Sequence, residues 1–183
     1  MAYQDDIKKA AALLLPWNKL SGCNILVTGA TGLIGGCLVD VLMAHKGRNY
    51  NVYASGRNEE RAGRRFLKYA DDNAFHFVKY DVAQPLEYDV NFQYIIHAAS
   101  GAYPEEFIKH PVEVIKGNIN GLDNLMGYGI QHGIKRLLYI SSGEVYGEGD
   151  GRVFTENYSG YVDCTSLRSC YPCLLYTSPS PRD

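Results

Sequence analysis

The stretch Asn24-Ile-Leu-Val-Thr-Gly-Ala-Thr-Gly-Leu-Ile-Gly-Gly36 constrains the fold more than any other part of the chain. Residues 25–28 are apolar or β-branched without alternation, which reads as a strand buried on both faces. Glycines follow at 29, 32 and 35, and over 37–43 the apolar residues return at helical spacing. Strand, glycine turn and helix in that order are the context in which a dinucleotide is bound. Gly29 is expected to permit the tight turn, Gly32 to let backbone N–H groups approach a pyrophosphate, and Gly35 to let helix and strand pack closely. The anion then rests on the helix N-terminus, where unpaired N–H groups and the peptide dipoles favour negative charge. Thr28, Gly29, Thr31, Gly32, Leu33, Ile34 and Gly35 form the expected cofactor-binding turn.

Downstream, the pattern alternates. Strands are expected at 51–54, 75–80, 93–99 and 136–141, with helices at 58–69 and from about 105 or 111 to 132. That alternation predicts an α/β fold with a Rossmann-type doubly wound parallel sheet. Residues 5–15 read as an amphipathic helix packing beside the sheet. No internal repeat is present.

The spacing Gly-x-x-Gly-x-x-Gly after a Thr resembles the extended branch of the short-chain dehydrogenase/reductase superfamily, the NAD-dependent nucleotide-sugar epimerases and dehydratases. The resemblance extends to further segments. Asp81-Val82 after the third strand matches the acid and small apolar residue that contact adenine in that superfamily. His97-Ala98-Ala99-Ser100 resembles the branch's His-Ala-Ala turn, whose small residues let the cofactor lie close over the strand ends. Asn118-Ile-Asn-Gly121 resembles its Asn-x-x-Gly segment, where the Asn supports the active site from an interrupted helix. Ser141-Ser-Gly-Glu-Val-Tyr-Gly147 matches its catalytic turn, so Ser142 is expected to hydrogen-bond the sugar hydroxyl that is oxidised.

The resemblance also implies a Tyr-x-x-x-Lys pair. Tyr171 is the better candidate and Tyr161, with Thr165 four residues on, the weaker. A phenol titrates near pH ~10, so an ammonium must lower that value before it can act as a base. Leu175 stands where the lysine is expected. Glu144 occupies a place where the family's 4,6-dehydratases and UDP-glucuronate decarboxylases carry Glu. Gly143 replaces the acid that dehydratases set beside it, and a UDP-sugar 4-epimerase is the alternative. Burial beside a nucleotide is expected to raise the Glu144 pKa. A non-catalytic dinucleotide-binding sensor is the rival from another class.

No acid stands at the tip of the second strand, where NAD-binding domains usually hold the ribose hydroxyls. Arg57 is there instead, suited to a 2′-phosphate or to stacking on adenine. The resemblance implies NAD, and Arg57 leaves NADP open. It further implies a nucleotide-sugar substrate and, for a full-length enzyme, a homodimer.

A net charge of −2 gives no reason to expect nucleic acid, and no apolar run approaches a membrane span. Lys8-Lys9, the apolar run 10–15 and Leu20-Ser-Gly-Cys23 mimic a lipoprotein signal. The run is short, Pro16 stops it, and cleavage at Cys23 would expose the nucleotide strand as a raw terminus. Five cysteines without paired metal spacing point to reduced thiols, a cytoplasmic protein and no metal site. Residues 1–21 read as a lead-in, 22–172 as an incomplete dinucleotide-binding domain, and 173–183 as a non-native tail without helical period. One back-translation of that tail spells sequencing-adapter DNA, so the chain reads as an inactive fragment of a longer enzyme.

Overall fold

A strand with no polar face must be covered on both sides, and that is how the chain arranges itself around its glycine-rich start. The computed structural model describes residues 2–100 and 104–177. In chain order its elements are α1 (Ala2–Ala11), β1 (Asn24–Thr28), α2 (Leu33–Ala44), β2 (Asn51–Gly56), α3 (Glu59–Phe66), β3 (Phe75–Lys79) and β4 (Tyr94–His97). They continue with α4 (Pro104–Lys109), α5 (Pro111–His132), β5 (Arg136–Tyr139) and α6 (Cys170–Thr177). Short 3₁₀ turns occur at Leu67–Tyr69, Gly143–Tyr146 and Leu167–Ser169, among others.

The five strands form one parallel sheet in the order β3-β2-β1-β4-β5. The chain starts at the centre, winds outward to β3, then returns to β4 on the other side. The winding direction reverses between β1 and β4, where α/β sheets open a crevice at the strands' carboxyl ends. Ile25 and Val27 join Val39, Leu42, Val52 and Phe66 in a core beneath α2 and α3. Leu26 points the other way and packs with Tyr53, Phe92, Ile95, Leu125 and Tyr128 beneath α5. This is the doubly wound Rossmann-type sheet expected from the alternation.

The helix expected up to residue 132 starts at Pro111, the later of its two expected starts, and α4 precedes it across His110. The residue before a proline avoids the α region, and Pro111 then opens α5 at its first turn. The N-terminal helix runs over Ala2–Ala11 and packs on α2 rather than beside the sheet, with Ile7 and Ala11 buried. Residues 173–177 belong to α6, and Leu174 and Leu175 are buried with Tyr171 against Phe107 and Val114. The helical stripe is legible once the window opens at Cys170, because 170, 171, 174 and 175 share a face.

One buried group escaped the sequence reading altogether. Asp40, on α2, is fully buried and is the hub joining α1, α2 and α3. Its carboxylate accepts from Tyr3 Oη at 2.7 Å, Arg65 Nη2 at 2.6 Å and Tyr69 Oη at 2.9 Å, and pairs with Lys68 Nζ at 2.9 Å. Burial pushes the carboxyl up, but the bonds from Arg65, Tyr3, Lys68 and Tyr69 outweigh it and hold the pKa at about 2. Replacing Asp40 by Ala is expected to lower stability by about 3 kcal/mol, read from the urea midpoint, because its partners lose their anion. The carboxyl titrates at about 2 when folded and near ~3.9 when unfolded. The wild-type advantage is therefore complete above pH ~4 and fades as the pH falls towards 2.

Candidate functional site

The site begins where β1 ends. Gly29 has φ +64°, the left-handed region, and a Cβ there would lie 2.5 Å from the Ala98 carbonyl oxygen. Both the turn and the approach of the β4 tip exclude a side chain. Gly35 is needed for a different reason, since its Cβ would lie 2.4 Å from the Gly29 carbonyl oxygen. Gly32 precedes α2 in extended conformation, and no side chain caps the first turn of that helix. Leu33 and Ile34 there are exposed, and Thr31 is half-buried against Gly56.

Beside this turn, Thr28 and His97 face each other across β1 and β4, with Thr28 Oγ1 2.7 Å from His97 Nδ1. His97 is fully buried and stacks on Tyr139. Burial pushes its pKa down to about 4, so the ring is neutral near pH 7. Its Nε2 has no hydrogen-bond partner among the described residues. Ala98 and Ala99 continue the strand tip, half-buried, against Gly29.

Asn118 and Gly121 approach from α5. Asn118 Nδ2 donates to the Val114 carbonyl of its own helix at 2.8 Å, and its buried Oδ1 has no partner among the described residues. The helix here is continuous rather than interrupted as the resemblance implied. A Cβ on Gly121 would lie 3.1 Å from Val82 and 3.5 Å from His97 Nε2, which gives the mid-helix glycine its reason. Asp81 Oδ1 accepts from Ala83 N at 3.1 Å and so shapes the turn that carries Val82. Asn124 Nδ2 donates to the Val82 carbonyl at 2.9 Å and holds that turn on α5. Arg57 is exposed at the β2 tip.

The remaining candidates lie beyond β5. Ser142 caps the 3₁₀ turn Gly143–Tyr146, its Oγ accepting from Glu144 N at 3.3 Å. Glu144 does not show the raised pKa expected of it. Arg168 Nη1 and Nη2 donate to its two oxygens at 2.8 and 2.6 Å, and that pair holds the carboxyl below its ordinary value despite partial burial. Arg168 was missed by the sequence reading, and the pair spans 24 residues. The signal was available, because Arg168 precedes Tyr171 by one helical turn. The Tyr171 ring is buried and stacks on Phe107 with centroids 4.5 Å apart, in a cluster with Leu175, Tyr139 and Val145. Tyr161 is 67% exposed and bridges to Glu148 outside that cluster.

Residues 25–174 match the model of the NAD dependent epimerase/dehydratase family. The chain belongs to that family. It is 35% identical over 154 residues to UDP-glucuronic acid decarboxylase 6 of Arabidopsis thaliana, covering 82% of this chain and 43% of that protein. It is 32% identical over 149 residues to UDP-glucuronic acid decarboxylase 1 of Danio rerio, covering 80% and 34%. The chain thus spans less than half the length of these curated relatives. Among solved structures, the UDP-glucose-4-epimerase of Stenotrophomonas maltophila with bound NAD matches with TM-score 0.69 at 22% identity, over 85% of this chain and 46% of that one. A double mutant of the dTDP-glucose 4,6-dehydratase of Streptomyces venezuelae with NAD bound matches with TM-score 0.67 at 21% identity, over 81% and 48%.

The glycine turn fits the pyrophosphate of a dinucleotide cofactor. The places of two missing Cβ atoms are filled by backbone, and the uncapped start of α2 faces the same strand tips. No group of three or more potential metal ligands occurs among the described residues, and no disulfide joins the five cysteines. No helix among the described residues is long and apolar enough to cross a membrane.

Two glycine substitutions separate fold from binding. A side chain at Gly32 meets only the Gly29 carbonyl, at 3.2 Å. Gly32→Val is therefore expected to leave the melting temperature within a few degrees and to weaken NAD binding at least ~10-fold by calorimetric titration. Gly35→Ala drives its Cβ into backbone and is expected to destabilise the fold by about 1–3 kcal/mol. Equal NAD affinity in wild type and Gly32→Val would remove the dinucleotide site.

Proposed function

We propose that this chain is the dinucleotide-binding half, with part of the catalytic apparatus, of an enzyme that decarboxylates a nucleotide-linked uronic acid of the UDP-glucuronate type. The observation that carries this reading is the forked Glu144–Arg168 pair on the turn that Ser142 caps. When bound, the nicotinamide supplies reversible removal of a hydride from the sugar's C4.

A 4-ketone on a uronic acid is a β-keto acid, which loses its carboxylate as CO2 without a base at C5; the C5–C6 electron pair passes into a 4-enolate, which takes a solvent proton at C5 before the hydride returns to C4. A 4,6-dehydratase needs such a base to take the C5 proton. Glu144, held below the ordinary carboxylate range by Arg168, is a weak base for that task. Arg168 is suited to a substrate carboxylate, since its planar fork matches that geometry and its side chain is 48% exposed. Ser142 would hold the C4 hydroxyl, and Tyr171 would take its proton once an ammonium lies beside it. The names of the curated relatives support the same choice.

The test is product analysis at full family length with UDP-glucuronate, UDP-glucose and dTDP-glucose. Carbon dioxide and a UDP-pentose are expected from the first, and no product from the others. Glu144→Gln is expected to stay within about 10-fold of wild type in rate while NAD affinity holds, because the proposed loss of CO2 uses no base there. A 4-epimer or a 4-keto-6-deoxy product would overturn the assignment.

A second reading applies to the 183-residue chain itself, and Leu175 favours it. This side chain is 3% exposed and stands where the tyrosine's ammonium is expected. The chain as it stands should bind the dinucleotide without turning over a nucleotide sugar. Any NADH absorbance on mixing it with NAD and UDP-glucuronate would show otherwise.

A further inference from the structure

The tip of β2 does not look like an NAD site. NAD-binding Rossmann domains place a carboxylate there to hold the ribose 2′-hydroxyl, whereas an Arg nearby accommodates a 2′-phosphate. Here the strand ends Ser55-Gly56 and is followed by Arg57-Asn58. Two carboxylates come next, and both are engaged. Glu59 Oε2 lies 2.8 Å from Lys79 Nζ, and Glu60 Oε1 lies 3.2 Å from Arg64 Nη1. Asn58 is engaged too, its side chain accepting from Arg61 N at 2.8 Å to cap α3. Arg57, in contrast, is exposed, and its guanidinium has no hydrogen bond or ion pair among the described residues.

The glycine turn reaches Gly56, the residue just before this cation. Thr31 Oγ1 lies 3.6 Å from the point where a Cβ on Gly56 would sit, so the loop that should hold the pyrophosphate touches the β2 tip. Gly56 pairs with Lys79 across β2 and β3, which sets a second cation at the same edge. Ser55 Oγ is buried there with no partner among the described residues.

We propose that Arg57, next to the Gly56 that Thr31 touches, recognises the 2′-phosphate of an NADP-type dinucleotide, so that this chain prefers the phosphorylated cofactor to NAD. The proposal rests on the dinucleotide reading of the glycine turn and departs from the cofactor named for the family. A dianionic phosphate on an exposed ribose meets an uncommitted guanidinium fork, with Glu59 and Glu60 already neutralised by their own cations. NAD has nothing at that point to replace the missing carboxylate contact.

The test uses the 183-residue chain and two probes that differ only in the phosphate, 5′-ADP and 2′,5′-ADP, by titration calorimetry. NAD and NADP follow as the full ligands. Wild type is expected to bind 2′,5′-ADP about tenfold or more tightly than 5′-ADP, an advantage that shrinks as salt is raised. Arg57→Ala should erase the difference while leaving 5′-ADP affinity unchanged, and Arg57→Glu should reverse it. Arg57 is exposed, so both variants should melt with wild type. Equal affinity for the two probes in wild type overturns the proposal. An equal loss for both probes in Arg57→Ala also overturns it, and assigns the side chain to adenine stacking. If wild type binds neither probe, the dinucleotide reading fails and takes the proposal with it.

Discussion

The meeting of Gly29 with the Ala98 carbonyl fixes the rest of the site. It joins the tips of β1 and β4 at the point where the sheet reverses its winding, and it tolerates no side chain. The start of α2 follows from it, because the helix can only begin where Gly35 clears the Gly29 carbonyl. The direction of the first-turn N–H groups is thus set by backbone contact alone. Such a cradle changes little with the identity of neighbouring side chains, which is why one glycine pattern serves many chemistries.

That dependence on backbone explains what could be read in the residues beforehand. Strand, glycine turn and helix are local features, and Gly29 makes the tight turn and Gly35 the close helix–strand approach that their positions implied. The parallel, doubly wound sheet was legible in the alternation of strands and helices, whereas its strand order was not. What escaped was tertiary. Asp40 is one acid in an apolar helix, and its partners at 3, 65, 68 and 69 come from three other segments. Glu144 was misjudged in sign because burial was considered and a cation 24 residues away was not. The helix α6 was lost because the window was opened at Cys173, inside its first turn rather than at its start.

The two sides of the crevice are built differently. On the cofactor side, β1, β4 and α2 meet through backbone atoms, and the polar contacts of Thr28 and His97 are wholly buried. Beyond β5, the geometry depends on side chains from elements that are not in the sheet. Phe107 from α4 stacks on Tyr171 of α6, and Arg168, whose guanidinium carbon lies 6.0 Å from the same ring, grips Glu144. This assembly links the turn after β5 to the helix that carries the tyrosine, without passing through a strand.

It follows that the two halves of the chemistry respond differently to change. Backbone contact in the cradle is costly to alter, because backbone already fills the places of the Gly29 and Gly35 side chains. The Glu144–Arg168 fork is partly exposed, with side-chain exposures of 33% and 48%, and exposed pairs contribute little to stability. Its value lies in orientation. A carboxylate entering the crevice can compete for Arg168, and the Glu144 released by that exchange regains the acidity of an ordinary carboxyl. Under the proposed reaction, the guanidinium that would receive an acidic sugar is thus the one that holds Glu144 on the Ser142 turn. A neutral hexose would carry no carboxylate to compete for that fork.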